Sequence, residues 1–101
     1  MTAEPLRSRV TITNEQGLHM RPLGAFVKLA SRFQSKVVIH KDGQPPVDGR
    51  SVLDLLSLGA EQGTELVLEV SGPDQEPALQ ALTGFLANLA LEEDGVSPGP
   101  S

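Results

Sequence analysis

Residues 7–30 read Arg7-Ser-Arg-Val-Thr-Ile-Thr-Asn-Glu-Gln-Gly17-Leu-His-Met-Arg-Pro-Leu-Gly-Ala-Phe-Val-Lys-Leu-Ala30, and the fold turns on a change of period inside this stretch. Val10 and Ile12 alternate with Arg9, Thr11 and Thr13, the period of two that a half-buried strand needs, from about Arg7 to Thr13. Asn14 to Gly17 break the alternation. From Met20 the apolar positions become Met20, Leu23, Phe26, Val27 and Ala30, which fall on one face of a helix. The polar connection between the two elements holds His19 and Arg21 at the mouth of that helix.

The rest of the chain is parsed by the same two periods. Val37 and Ile39 face one way and Val38 and His40 the other, so Lys36 to Lys41 predicts a second strand. Asp42-Gly43 predicts a hairpin turn in which both central residues take positive φ. Pro45 and Pro46 shorten the returning strand near Val47 and assign it to an edge or a bulge, where missing ladder donors are tolerated. Ser51-Val-Leu-Asp54 has the form of an N-cap with an acid three residues on, and Gly59 supplies the left-handed residue that ends a helix of barely two turns. Glu65 to Val70 predicts another strand. Pro73-Asp74 then opens a helix whose inward stripe is Ala78, Leu82, Phe85, Leu86 and Leu89. The order is βαββαβα, and a sheet with alternating faces plus three amphipathic helices implies an open-faced α+β sandwich. Residues 1–6 are expected to be a flexible N-terminus and 7–91 one domain. The acidic, Gly/Pro/Ser-rich segment 92–101 is expected to be a solvated, disordered tail.

Composition removes several functions. The 101 residues hold no cysteine, so a disulfide framework and a Cys-based zinc site are excluded. Three Phe are the only aromatics of the FWY set, which leaves a base-stacking nucleic-acid surface almost nothing to work with. No run approaches the eighteen apolar residues of a membrane span, and Glu4, Arg7 and Arg9 interrupt the place of a signal peptide. The chain is expected in the cytoplasm, without membrane insertion. Its net charge of −5 is uneven: all eight basic residues lie at or before Arg50 with four acids, and nine acids stand alone after it. If the early segments share a surface, that surface is positive and suits an anionic ligand or an acidic partner.

Gly17-Leu18-His19-Met20-Arg21-Pro22 carries the chemistry. Pro22 suits the first turn of a helix, where its missing N–H leaves no bond unmade. His19 therefore stands at or just before the cap, among amide donors aimed past the helix end. Those donors, the helix dipole and the planar donor fork of Arg21 make an anion site. A neutral imidazole there is a nucleophile whose phosphorylated product is anionic, so each oxygen gained meets a donor already in place.

This hexapeptide, continued by Ala25-Phe26-Val27-Lys28, resembles the active-site signature of HPr, the histidine-containing phosphocarrier family of the bacterial phosphoenolpyruvate-dependent phosphotransferase system. Arg50-Ser51-Val52-Leu53 with Ser57-Leu58-Gly59, then Gln62-Gly63-Thr64, is similar to the family's second motif, and the likeness runs from about Arg7 to Leu91. The resemblance implies a four-stranded antiparallel sheet with helices on one face, in accord with the order read from the periods. It also implies a carrier rather than an enzyme, with no cofactor and no metal. His19 would accept a phosphoryl group on Nδ1 from Enzyme I and pass it to a IIA domain, with Arg21 steadying the group. Ser51 matches a position that an HPr kinase/phosphorylase modifies in some bacteria to slow transfer and dock a transcriptional regulator. As an N-cap, Ser51 also stabilises its helix by ~1 kcal/mol relative to Ala without further purpose.

Val52, Leu53 and Leu56 match the family's exposed apolar patch, since Leu55 and Leu58 suffice to fill the inward side of so short a helix. With Met20, Leu23, Lys28 and Arg50 they form the expected partner-binding set, an apolar centre ringed by positive charge on a monomer. His40 is expected to be a solvated surface residue. The chain departs from the family where Met20 and Leu23 replace small residues beside the histidine, and where Asp54 puts an acid in the docking helix. Two other functions stay open at this level: a regulatory relative whose phosphorylation state is sensed by other proteins, and a small α+β binding module without phosphoryl chemistry.

Overall fold

The computed structural model describes residues 4–89. Its elements run β1 (Leu6–Thr11), α1 (Met20–Ala30), β2 (Lys36–Lys41), β3 (Val47–Asp48), α2 (Val52–Ser57), β4 (Glu65–Ser71) and α3 (Gln75–Ala87). The four strands form one sheet in the order β1-β4-β2-β3, every neighbouring pair antiparallel. Alternation along each strand sends Val10, Val37, Ile39, Leu66, Leu68 and Val70 to the inner face, where all are buried. Leu23 and Phe26 of α1, Leu55 of α2, and Leu82 and Leu86 of α3 close over them. Each such aliphatic side chain contributes roughly 1.5–3 kcal/mol of burial, so a core almost without aromatics suffices. The outer face carries Arg7, Arg9, Lys36, Glu65 and Glu69, and no helix among the described residues lies over it.

The bounds of β2 are those the alternation predicts, and β2 pairs with β4 so that Ile39 faces Leu68. At β1 the strand starts at Leu6, inside the stretch expected to be flexible, and the carbonyl of Glu4 accepts from Gln75 Nε2 at 2.9 Å. It also ends two residues early. Ile12 leaves the strand yet stays fully buried, its N–H donating to the Thr64 carbonyl (2.9 Å) and its own carbonyl accepting from Gly63 N–H (2.7 Å). The expectation for residues 92–101 lies outside the described residues.

The β2–β3 turn differs from its prediction. Only Gly43 has positive φ (80°), and Gln44 N–H closes the turn on the Lys41 carbonyl at 3.1 Å. A single left-handed glycine at the third position is the pattern of a type II turn, so Asp42 is spared the strained conformation that a doubly positive turn imposes on it. The proline pair does shorten β3 to two residues at the sheet edge. Asp74 caps α3 in position, but its carboxylate turns away and accepts from Gln34 N–H (2.9 Å) and the Ser35 hydroxyl (2.5 Å). This clamp sets the start of α3 beside the end of α1. Phe26 and Phe85 meet with ring centroids 6.1 Å apart, so the two helices lie antiparallel.

Two residue assignments need correction here. Leu23 is only 1% exposed and sits in the core beside Phe26, so it cannot belong to a partner-binding surface. It and Phe26 are three residues apart on α1, and the helix turn that buries one buries both. His40 is half-buried rather than solvated, because its Nε2 lies 2.7 Å from Glu69 Oε1 on the neighbouring strand.

Candidate functional site

The connection from β1 to α1 is held at several points. Gly17 has φ 68°, a conformation that favours glycine, and a Cβ there would lie 2.4 Å from the Ala60 carbonyl oxygen. Gly17 N–H donates to the Asn14 carbonyl at 3.1 Å, while the buried Asn14 side chain returns a bond from Nδ2 to the Gly17 carbonyl at 2.7 Å. Leu18 N–H donates to the Ala60 carbonyl at 2.9 Å, and its side chain is buried. The loop thus arrives at His19 already fixed. Asn14 and Ala60 carry this arrangement and were invisible in sequence, where Asn14 reads only as the end of a strand. The one local cue is the spacing Asn14-x-x-Gly17, which suits a side chain closing its own turn.

His19 is the N-cap of α1, with extended backbone (φ −119°, ψ −176°), and its carbonyl accepts the first helical bond from Leu23 N–H at 3.1 Å. Its side chain does not cap the helix, and it is partly exposed. The N–H groups of Met20 and Arg21 open the helix, where no helical carbonyl precedes them, and Pro22 has no N–H to leave over. Arg21 is exposed, and α1 has no acid in its first turn to neutralise it. The site is a rim, open to a macromolecular partner.

Met20, assigned by its spacing to the inward stripe, is instead 60% exposed, because it is the first residue of the helix and has no preceding turn to cover it. On the adjoining α2, Leu53 is 76% exposed, whereas Val52 and Leu56 are half-buried with one side against the core. Leu55 and Leu58 fill the inward side as predicted. Ser51 caps α2, its Oγ accepting from Asp54 N–H at 3.2 Å.

The basic residues do not form one surface. Arg7 and Arg9 lie on the outer sheet face beside Glu69 and Glu65, each pair at 3.6 Å. Lys41 Nζ donates to the Leu58 carbonyl at 2.8 Å. Arg50, expected in the ring around the docking patch, donates from its guanidinium to the carbonyls of Phe33 and Ser35, both at 2.6 Å. It lines a surface groove of about 500 Å³ with Lys36, Val38 and Asp48, beside β3. Arg21 and Lys28 remain as the exposed cations of α1.

Two carboxyl groups away from the site titrate below their ordinary range. Glu69 is lowered chiefly by the hydrogen bond from His40, with Arg7 adding to it. Asp74 is lowered chiefly by the Ser35 hydroxyl, then by Gln34 N–H.

An open-faced α+β sandwich with a partly exposed histidine capping its first helix defines a class of small carrier domains, and comparison with known proteins agrees. The family described as "PTS HPr component phosphorylation site" matches residues 6–88. The HPr-like protein Crh of Bacillus subtilis is 36% identical over 81 residues, covering 80% of this chain and 94% of its own. The phosphocarrier protein HPr of Treponema pallidum is 37% identical over 84 residues, covering 83% and 94%. The crystal structure of HPr from Bacillus anthracis superposes with a TM-score of 0.76 at 33% identity, over 81% of this chain and 96% of that one. The chain belongs to the HPr family of phosphocarrier proteins. Members of this family carry phosphoryl groups and are not enzymes. No helix among the described residues is long and apolar enough to cross a membrane.

Proposed function

We propose that His19 carries the phosphoryl group, taking it on Nδ1 from phospho-Enzyme I and handing it to a IIA component in the cytoplasm. The lone pair of the ring nitrogen attacks phosphorus while the bond from phosphorus to the donor's histidine nitrogen breaks, its electron pair returning to the donor ring. Onward transfer is the same exchange with His19 as the leaving group. The observation that carries this reading is the placement of His19 as an N-cap with extended backbone, partly exposed, on a loop fixed by Gly17, Leu18 and Ala60. Such preorganisation sets donors where charge accumulates and costs no rearrangement during transfer. Arg21, exposed in the first turn of α1, supplies the cation that steadies the phosphoryl group.

Met20, Leu53 and the open sides of Val52 and Leu56 form the docking face, with Lys28 at its edge. Arg50 keeps its charge and its exposure in this set, its guanidinium held by the carbonyls of Phe33 and Ser35. All these groups come from one chain, so a single copy suffices. Incubation with phosphoenolpyruvate and Enzyme I should give an acid-labile adduct that disappears in His19→Ala, and persistence of the label would refute the assignment.

A second reading is favoured by relatives named HPr-like protein Crh in Bacillus subtilis and Halalkalibacterium halodurans. In it the chain regulates other proteins, with Ser51 modified by an HPr kinase/phosphorylase and read by a transcriptional regulator. A phosphate at the N-cap of α2 would face the helix dipole favourably and place negative charge beside Leu53. Transfer to IIA proteins in a reconstituted system separates the two: efficient transfer supports the carrier, and an adduct that no IIA protein discharges supports the regulator.

A further inference from the structure

We propose that Met20 is a site of reversible oxidation by hydroperoxides, and that its sulfoxide weakens capture of the chain by phospho-Enzyme I. The consequence for capture rests on the docking face proposed above, whereas the oxidation itself does not.

Three observations converge on it. The first is where the sulfur sits. Met20 is 60% exposed at the first position of α1, with His19 as the N-cap before it. Helical side chains lean toward the N-terminus, so the thioether is carried toward the His19 end of the helix. Leu23, the other bulky residue that stands in place of a small one beside the histidine, is buried and fills the core. Met20 does no such packing, so the core does not require a long side chain at this position.

The second is the sulfur inventory. The chain has no cysteine and two methionines, Met1 and Met20. No thiol competes for an oxidant, and Met20 holds the one sulfur among the described residues. The chemistry needs only a hydroperoxide. A lone pair of Sδ attacks its terminal oxygen and the O–O bond breaks. The proton lost from the transferred hydroxyl ends on the departing oxygen, which leaves as water or an alcohol. Sulfur gives up two electrons and the peroxide takes them. Return to the thioether runs through a dithiol, which becomes a disulfide while the sulfoxide oxygen departs as water.

The third is the surroundings. Helix α1 packs beside α2, where Leu53 is 76% exposed and Val52 and Leu56 each keep an open side. Met20 adds a flexible apolar side chain to that surface, of the kind that adapts to more than one partner. Its sulfoxide is polar and accepts hydrogen bonds. An apolar partner surface closing over that oxygen strips it of water and offers it no donor. Since Met20 is not part of the core, the same change leaves the fold in place, and the modification is felt at docking rather than in stability.

Hydrogen peroxide applied to the full chain is the probe, with peptide mapping by mass spectrometry to follow the gain of one oxygen at Met1 and at Met20 separately. Met20 should oxidise within about threefold of the rate of free methionine, as an exposed thioether does. The oxidised chain should keep its Tm within about 4 °C. In transfer from phospho-Enzyme I its KM should rise at least about fivefold, the low end of the cost of an unpaired polar atom, with kcat held within about twofold because His19 and Arg21 are unchanged. Methionine sulfoxide reductases of both epimer specificities should restore the starting KM. Met20→Leu, whatever its own KM, should keep that value through peroxide treatment, which assigns the effect to Met20 and not to Met1. Slow oxidation of Met20, an unmoved KM in the fully oxidised chain, a loss of Tm on oxidation, or an equal rise of KM in Met20→Leu would each overturn the proposal. Failure of phospho-Enzyme I to label the untreated chain would overturn the carrier reading and the consequence together, whereas labelling that oxidation leaves unmoved overturns the Met20 switch alone.

Discussion

Replacing Gly17 with Ala tests whether the approach of the His19 loop to Ala60 matters. Three costs follow from the geometry. A left-handed residue with a Cβ loses roughly 1–2 kcal/mol. The new methyl would meet the Ala60 oxygen at 2.4 Å and Glu61 Cα at 2.9 Å, and both are backbone atoms that cannot rotate aside. Forcing them apart costs about 1–3 kcal/mol by analogy with overpacked cores, and the bond from Leu18 N–H to the same carbonyl contributes about 1 kcal/mol more. The expected loss is therefore about 3–6 kcal/mol, which in a domain of this size lowers Tm by more than about 12 °C. Circular dichroism near 222 nm is the suitable assay, since the chain has neither Trp nor Tyr. Two companions separate the costs. Gly43 has φ 80° but open space around it, so Gly43→Ala should lose only the conformational part. Gly24 lies inside α1 with ordinary φ and nothing within 4 Å, so Gly24→Ala should gain about 1 kcal/mol of helix propensity. Equal losses for Gly17→Ala and Gly43→Ala would refute the reasoning, because the approach to Ala60 would then count for nothing.

Four further outcomes are expected. Leu23→Ala should lose about 2–5 kcal/mol in urea unfolding, as a buried leucine does, while Leu53→Ala changes stability by less than about 0.5 kcal/mol and weakens partner binding. Arg21→Ala should slow phosphoryl transfer while leaving Tm within a few degrees, and matched losses of both would make Arg21 structural. His40→Ala should raise the Glu69 pKa toward its ordinary value in a carboxyl NMR titration, since the hydrogen bond from His40 is the main cause of its lowering. The depressed folded-state value means that this contact stabilises above the ordinary carboxylate range and is lost as pH falls through the depressed pKa, so the variant should show a weaker acid dependence of unfolding there. Asp74 is lowered in the same direction by Ser35 and Gln34, and Asp74→Asn should likewise flatten the acid limb and speed hydrogen exchange at Gln34.

Local signals found most of the fold and the reacting residue. The bounds of β2, the start of α1, the Ser51 cap and the left-handed Gly59 each depend on neighbours a few residues away, and periods and cap chemistry report those neighbours. His19 was legible because Pro22 marks the helix start. Features that depend on distant chain were not. Leu23 and Met20 share an apolar spacing, and the spacing alone does not tell that Met20, opening the helix with no turn before it, stays bare while Leu23 is buried. Asn14 is tied to a glycine that must itself rest on Ala60, more than forty residues away. Arg50 and Asp74 read as charges for solvent or a helix end, yet each closes on the same loop around Ser35 through bonds that no periodicity encodes.

The position of β1 at the margin of the sheet bears on how copies of the chain behave at high concentration. On its outward side the backbone groups of alternate residues have no strand partner among the described residues, the usual template for a foreign strand. Arg7 and Arg9 flank Ser8 there. A second β1 laid antiparallel and centred on Ser8 would set Arg7 of each copy opposite Arg9 of the other, and like charges facing across a ladder repel. Lengthening of the sheet by self-addition in that register is thus opposed by electrostatics, and the opposition weakens as ionic strength rises.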